Sequence, residues 1–123
     1  MLKVEHVGII AKDPKSLAEW YRDALGFEII LEMKKSGRPP IYFLKGSEGS
    51  YIEILPPSFK NHVGFVVDDF DEMVNNLQKK GIVFETMRET SIGWKIGYFR
   101  DPEGNQLEIV YRSQPIQDYQ KTD

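Results

Sequence analysis

HVGIIAKD at residues 6–13 and HVGFVVDD at residues 62–69 are near copies of each other, and they hold the only two histidines of the chain. The likeness continues beyond these eight letters. Leu25-Gly26 is matched by Lys80-Gly81, an offset of 55, whereas His6 and His62 are 56 apart, so one residue was gained or lost between them. From the glycine onward the offset of 55 holds: Phe43-Leu44 matches Tyr98-Phe99, Glu48-Gly49 matches Glu103-Gly104, and Ile52-Glu53-Ile54-Leu55 matches Leu107-Glu108-Ile109-Val110. The chain reads as one unit of about 55 residues written twice, each copy with one histidine near its start and one glutamate near its end.

Composition bounds what such a chain can be. Its 123 residues make one domain, and 41% hydrophobic content suffices for a packed core. The formal net charge of −3 and the scattered lysines and arginines lack the basic stripe of a nucleic-acid footprint. No apolar run approaches the roughly 18 residues needed to span a bilayer. MLKVEHVG enters a strand-like stretch without a signal peptide, and there are no cysteines, which excludes a disulfide framework, a thiol nucleophile and a cysteine-based zinc site. The expectation is a soluble cytoplasmic protein.

Residues 4–11, VEHVGIIA, are β-branched and apolar, as a buried strand is. Asp13-Pro14 then opens a helix, with Leu17, Trp20, Tyr21, Ala24 and Leu25 at helical spacing and Gly26 as its stop. Strands are expected over 27–33, 41–44 and 50–55, with KKSGRPP at 34–40 as a loop. The second copy repeats this order. A strand spans 62–67, Asp69-x-x-Glu72 opens a helix that presents Phe70, Met73, Val74 and Leu77, and Gly81 ends it. Strands follow over 82–87, 94–99 and 106–112, with a loop at 88–92 and a turn at 101–105. The order is βαβββ twice, an α+β protein in one domain: a first unit at 1–57, a second at 58–112 and a polar tail at 113–123 that frays. Neither unit alone can bury a stable core, so the two pair within one chain or across a homodimer.

Alternation along the strands assigns the faces. His6 shares a face with Gly8 and Ile10, and His62 with Gly64 and Val66. Glu53 shares one with Tyr51 and Leu55, and Glu108 with Gln106 and Val110. Val7, Ile9, Ala11, Ile52, Ile54, Leu107 and Ile109 point the other way, toward the helices. If the two units pair with pseudo-twofold symmetry, His6, Glu53, His62 and Glu108 converge. Two neutral imidazoles and two carboxylates make a charge-neutral site for one divalent ion: nickel, zinc, cobalt, iron or manganese. Four protein ligands on an octahedral ion leave two positions for two oxygens of a substrate, and a carboxylate beside them can act as general base. Read singly, each histidine would be structural and each glutamate solvated. Buried together without a metal, the two carboxylates would repel at considerable cost.

These stretches, with the helix end ALGFE, SYIEIL, NHVGFVVDD and above all FRDPEGNQLEIV, resemble the vicinal oxygen chelate superfamily over residues 4–111. This is the group of the glyoxalases, bleomycin-resistance proteins and extradiol dioxygenases. The resemblance implies a glyoxalase-like incomplete β-barrel that encloses a metal. Members similar to glyoxalase I and methylmalonyl-CoA epimerase take their metal from positions matching His6, Glu53, His62 and Glu108. Fosfomycin-resistance thiol transferases use those matching His6, His62 and Glu108, and bleomycin-binding members lack the metal. The short link from Glu53 to His62 resembles the transferases, as does Tyr98, while Gly8 and the stretch ETSIGWK depart from them.

The expected function is a metal-dependent lyase or isomerase of the glyoxalase type, moving a proton next to a carbonyl on a small vicinal-oxygen substrate. Glu53 or Glu108 is then the base, as the resemblance to glyoxalase I implies. The alternatives are a fosfomycin-type thiol transferase and a non-catalytic small-molecule-binding protein. Substrate candidates are Arg38 and Arg88, in corresponding loops where they could clamp a carboxylate, with Trp94 and Tyr98, which share parity as a cavity wall would. Each has a plainer reading, a solvated charge for the arginines and a core aromatic for Tyr98.

Overall fold

The computed structural model describes residues 2–119. It contains β1 (Lys3–Ile10), α1 (Pro14–Leu25), β2 (Glu28–Lys35), β3 (Arg38–Lys45), β4 (Tyr51–Leu55), β5 (His62–Val66), α2 (Phe70–Lys79), β6 (Thr86–Glu89), β7 (Lys95–Arg100) and β8 (Gln106–Tyr111). The order is βαβββ twice, as the repeat demands. Contacts gather the described chain into two compact units. One is His6–Asn61 with 115–119, and the other is His62–Gln114 with 2–5.

The first unit carries its strands in the order β2-β3-β4-β1 and the second in the order β6-β7-β8-β5. In each, two antiparallel ladders are followed by a parallel one, β1 with β4 and β5 with β8. Each helix covers one face. Asp13 caps α1 by accepting from the Ser16 amide at 3.2 Å and hydroxyl at 2.8 Å, and Gly26 ends it in the left-handed region at φ 77°. Ala18, Tyr42, Leu44 and Ile54 form the core beneath it, with Ile9, Leu17, Tyr21 and Ile52 packed around. Asp69 caps α2 through the Glu72 amide at 3.0 Å, and Val74, Leu77, Phe99 and Ile109 make the corresponding core. Ile52, Ile54, Leu107 and Ile109 therefore face the helices as alternation assigns, which leaves Glu53 and Glu108 on the opposite faces.

Several expectations are corrected. KKSGRPP is no loop: β2 runs to Lys35, a turn with Gly37 at φ 87° reverses the chain, and β3 starts at Arg38. Pro39 and Pro40 fit in β3 because its ladder to β4 begins only at Tyr42, so their missing N–H groups break no bond there. The strand expected at 82–87 is Thr86–Glu89 instead. Ile82 and Phe84 are used for packing against α2, and backbone pairing with β7 starts where the Glu85 amide donates to the Tyr98 carbonyl at 2.8 Å. Trp20 and Leu25 do not join the buried face of α1 and are 54% and 56% exposed, and Val7 is exposed as well. The tail does not fray over its described part. Ile116–Asp118 forms a 3-10 turn, and Ile116 is 1% exposed. The remainder of that tail, 120–123, lies outside the described residues.

Candidate metal-binding residues

In the first unit, β1 and β4 run parallel with His6 opposite Tyr51 and Gly8 opposite Glu53. This register puts His6 and Glu53 on one face, two residues apart along the strands. His6 Nε2 lies 3.4 Å from Glu53 Oε1, with both side chains buried. Gly8 leaves the place beside the carboxylate without a side chain. On the other flank Phe43 stands opposite Glu53 in β3, and its ring meets the His6 imidazole edge-on at 5.7 Å.

The second unit builds the same arrangement. Gly64 on β5 is opposite Glu108 on β8, and His62 Nε2 lies 3.2 Å from Glu108 Oε1, again with both side chains buried. Tyr98 on β7 stands opposite Glu108 and meets the His62 ring edge-on at 6.1 Å. The duplication thus extends past the His/Glu pair to a glycine on one flank and an aromatic ring on the other. The offset of 55 already matched Phe43 with Tyr98, so this supporting ring was readable from the repeat.

Each pair suits a metal ion chemically. Nitrogen and oxygen ligands about 2.1 Å from one ion sit roughly 3.0 Å apart at a right angle and roughly 3.4 Å apart in a tetrahedron. The pairs at 3.4 and 3.2 Å fall in that range. A buried carboxylate with an imidazole beside it can instead share a proton, so the spacing fits a metal without requiring one. His6, Glu53, His62 and Glu108 are all groups able to ligate a metal, and all are buried.

The most specific motif, DPEGN, is a turn held by its own aspartate. Asp101 accepts from the amides of Glu103 at 3.0 Å and Asn105 at 2.9 Å and from the Asn105 side chain at 2.8 Å. The Asn105 side chain is the chief cause that holds the Asp101 carboxyl below its ordinary pKa. Gly104, at φ 88°, closes the turn, its amide donating a hydrogen bond to the Asp101 carbonyl at 3.0 Å. The turn joins β7 to β8 and sets the register that brings Glu108 opposite Tyr98.

Of the substrate candidates, Tyr98 is brought to a His/Glu pair. Trp94 is buried inside its own unit, where the Arg112 guanidinium lies 4.1 Å from its ring. Arg112 in turn holds Glu5 through two bonds of 2.9 Å. This buried cluster was not legible in the sequence, because Glu5 and Arg112 are 107 residues apart. Arg38 opens β3, donates to the Pro39 carbonyl at 2.9 Å and lies 5.7 Å from the Phe59 ring. Arg88 is exposed on β6 and not in a loop. A hollow of about 470 Å³ lies on the helix side of the first unit, lined by Glu19, Phe27, Glu32 and Tyr42 among others. It is not on the His6–Glu53 face, since Tyr42 pairs with helix-facing Ile54. Burial, and then the Glu32 carboxylate that its hydroxyl meets at 2.7 Å, push the Tyr42 pKa far above its ordinary value.

A doubled βαβββ unit with a buried His/Glu pair in each copy defines a narrow class of protein, and comparison with known proteins agrees. The model of the Glyoxalase/Bleomycin resistance protein/Dioxygenase superfamily matches residues 3–109. The chain belongs to that superfamily. The uncharacterized protein YaeR of Escherichia coli (strain K12) is 30% identical over 121 residues, covering 87% of this chain and 94% of its own. The uncharacterized protein YwkD of Bacillus subtilis (strain 168) is 28% identical over 86% of this chain and 94% of its own. Among solved structures, a hypothetical protein from Bacillus halodurans C-125 has a TM-score of 0.77 at 17% identity, over 92% of this chain and 96% of its own. Methylmalonyl-CoA epimerase of Streptomyces coelicolor, in complex with 2-nitronate-propionyl-CoA, has a TM-score of 0.75 at 23% identity, over 91% and 98%. These structural likenesses show a shared α+β, glyoxalase-like fold.

Proposed function

We propose that His6, Glu53, His62 and Glu108 hold one divalent metal ion and that the protein is a lyase or isomerase moving a proton next to a carbonyl. The observation that carries this reading is the duplicated buried pair, at 3.4 Å in one unit and 3.2 Å in the other. Its substrate is a small molecule with two neighbouring oxygens. A 2-substituted acyl thioester is the first candidate, by likeness to the epimerases, and a hemithioacetal the second.

A bound nickel, zinc, cobalt, manganese or iron ion would supply positive charge beside the carbonyl oxygen and so acidify the adjacent carbon. Glu53 or Glu108 takes the proton from that carbon and returns it. His6 and His62 keep the carboxylates placed. Tyr98, half-buried beside His62, contacts the substrate, and Arg38 and Arg88 bind a carboxylate on it. The protein acts in the cytoplasm as a homodimer.

The test combines composition with chemistry. Elemental analysis should find close to one metal per chain after refilling with nickel, zinc, cobalt or manganese. Acyl thioesters and hemithioacetals should then exchange the proton beside the carbonyl for solvent deuterium. No metal under any of these conditions overturns the proposal. Thiol addition to fosfomycin without proton exchange would assign the protein to the transferases instead.

A further inference from the structure

The stretch after β8 returns to the first unit on its His6 face. Tyr51 is the register partner of His6, so the two side chains stand side by side on one face of the β1–β4 ladder. The Tyr51 hydroxyl donates to Gln117 Oε1 at 3.0 Å, and the neighbouring Ile116 is 1% exposed. A polar latch and an apolar plug, one residue apart, thus fix residues 115–119 at the Tyr51 end of that face. The second unit has no such feature, since the residue matching Tyr51 is Gln106.

We infer that residues 115–119 form a strap controlling access to His6, with Tyr51 and Gln117 as positioning residues and Ile116 as the plug. In the resting protein the strap holds the Tyr51 ring against one side of the His6 pair, which limits the size of molecule admitted there. Opening breaks the Tyr51–Gln117 hydrogen bond and unseats Ile116. Both changes are small enough to occur locally without unfolding the unit. The inference rests on the proposed metal reading for its catalytic meaning, but not for its test.

The chain has two histidines, one beside the strap and one in the other unit, so each protein carries its own control. Metal-free full-length protein is treated with diethyl pyrocarbonate, and labelling of His6 and His62 is followed separately by mass spectrometry. Tyr51→Phe keeps the ring and removes the latch, as Gln117→Ala does from the other side. Each should raise the His6 rate relative to His62 by roughly fivefold. Ile116→Ser, which removes the plug, should raise it by roughly tenfold or more. Circular dichroism and melting confirm that each variant is folded. Gln117, being exposed, gives the variant least apt to disturb the fold. In cobalt-loaded protein the same variants should release metal to a chelator faster and accept bulkier acyl thioesters. An unchanged His6 to His62 ratio in folded Gln117→Ala and Ile116→Ser proteins overturns the strap. Faster labelling without metal binding or proton exchange would keep the strap and overturn the metal-dependent reading.

Discussion

Glu53 and Glu108 occupy equivalent places, but the aromatic rings opposite them differ by one oxygen atom. Phe43 flanks the first pair and Tyr98 the second. Replacing either glutamate by glutamine keeps its shape and removes a base. The one that accepts the substrate proton should lose roughly 10²–10⁴-fold in turnover with substrate binding largely retained, as read from kcat and KM measured separately. Tyr98→Phe makes the second pair resemble the first. It should raise KM more than it lowers kcat, with metal content unchanged. His62→Ala should lose the metal, measured by elemental analysis. The four proposed ligands could be picked from the sequence because the repeat marks equivalent positions and alternation supplies the face. Glu5 and Arg112 could not, because nothing local ties residues so far apart. Their ion pair is buried, so Arg112→Ala strands a charge and should cost about 3–5 kcal/mol, checked by denaturant unfolding.

Among the elements, the 101–105 turn shows how a motif's specificity can come from the backbone geometry it builds. Its aspartate is satisfied by backbone amides and by Asn105, and its carboxyl pKa is lowered in the fold. A lowered carboxyl pKa gives stability that is fully present above the unfolded value and is lost as pH falls through the folded one. Asp101→Ala should therefore melt below the wild type near neutral pH, and the gap should close below about pH 4. Differential scanning calorimetry across that range tests it. Both helices were legible because caps and periodicity agree. The strand expected at 82–87 and the loop expected at 34–40 were misplaced for a physical reason. Ile82 and Phe84 pack against the α2 core without entering a ladder, while Val83 between them is left exposed. Prolines enter a strand wherever one side of it is unpaired.

For the whole molecule, the repeat implied the βαβββ order, and the structure adds that both units lay their strands in matching orders, β2-β3-β4-β1 and β6-β7-β8-β5. What it did not reveal is that each unit borrows from the far end of the chain: residues 2–5 join the second, and 115–119 join the first. A fragment ending at Pro57 lacks the 115–119 segment and Asn61, whose side chain accepts the Ile10 amide at 2.9 Å. Such a fragment should fail to unfold cooperatively by circular dichroism and denaturant titration.

That borrowing also bears on synthesis. A ribosome makes residues 6–61 early, yet the isoleucine that fills the first unit and the glutamine that latches Tyr51 are among the last described residues to be translated. The second unit, by contrast, has its borrowed strand in hand from the start. Emergence order and completion order are therefore inverted: the first unit waits for residues made after those of the second before it is finished. Long-range closure of this kind is slow relative to local structure. While a nascent chain is held short of residue 116, the half carrying His6 and Glu53 should remain the more protease-sensitive of the two.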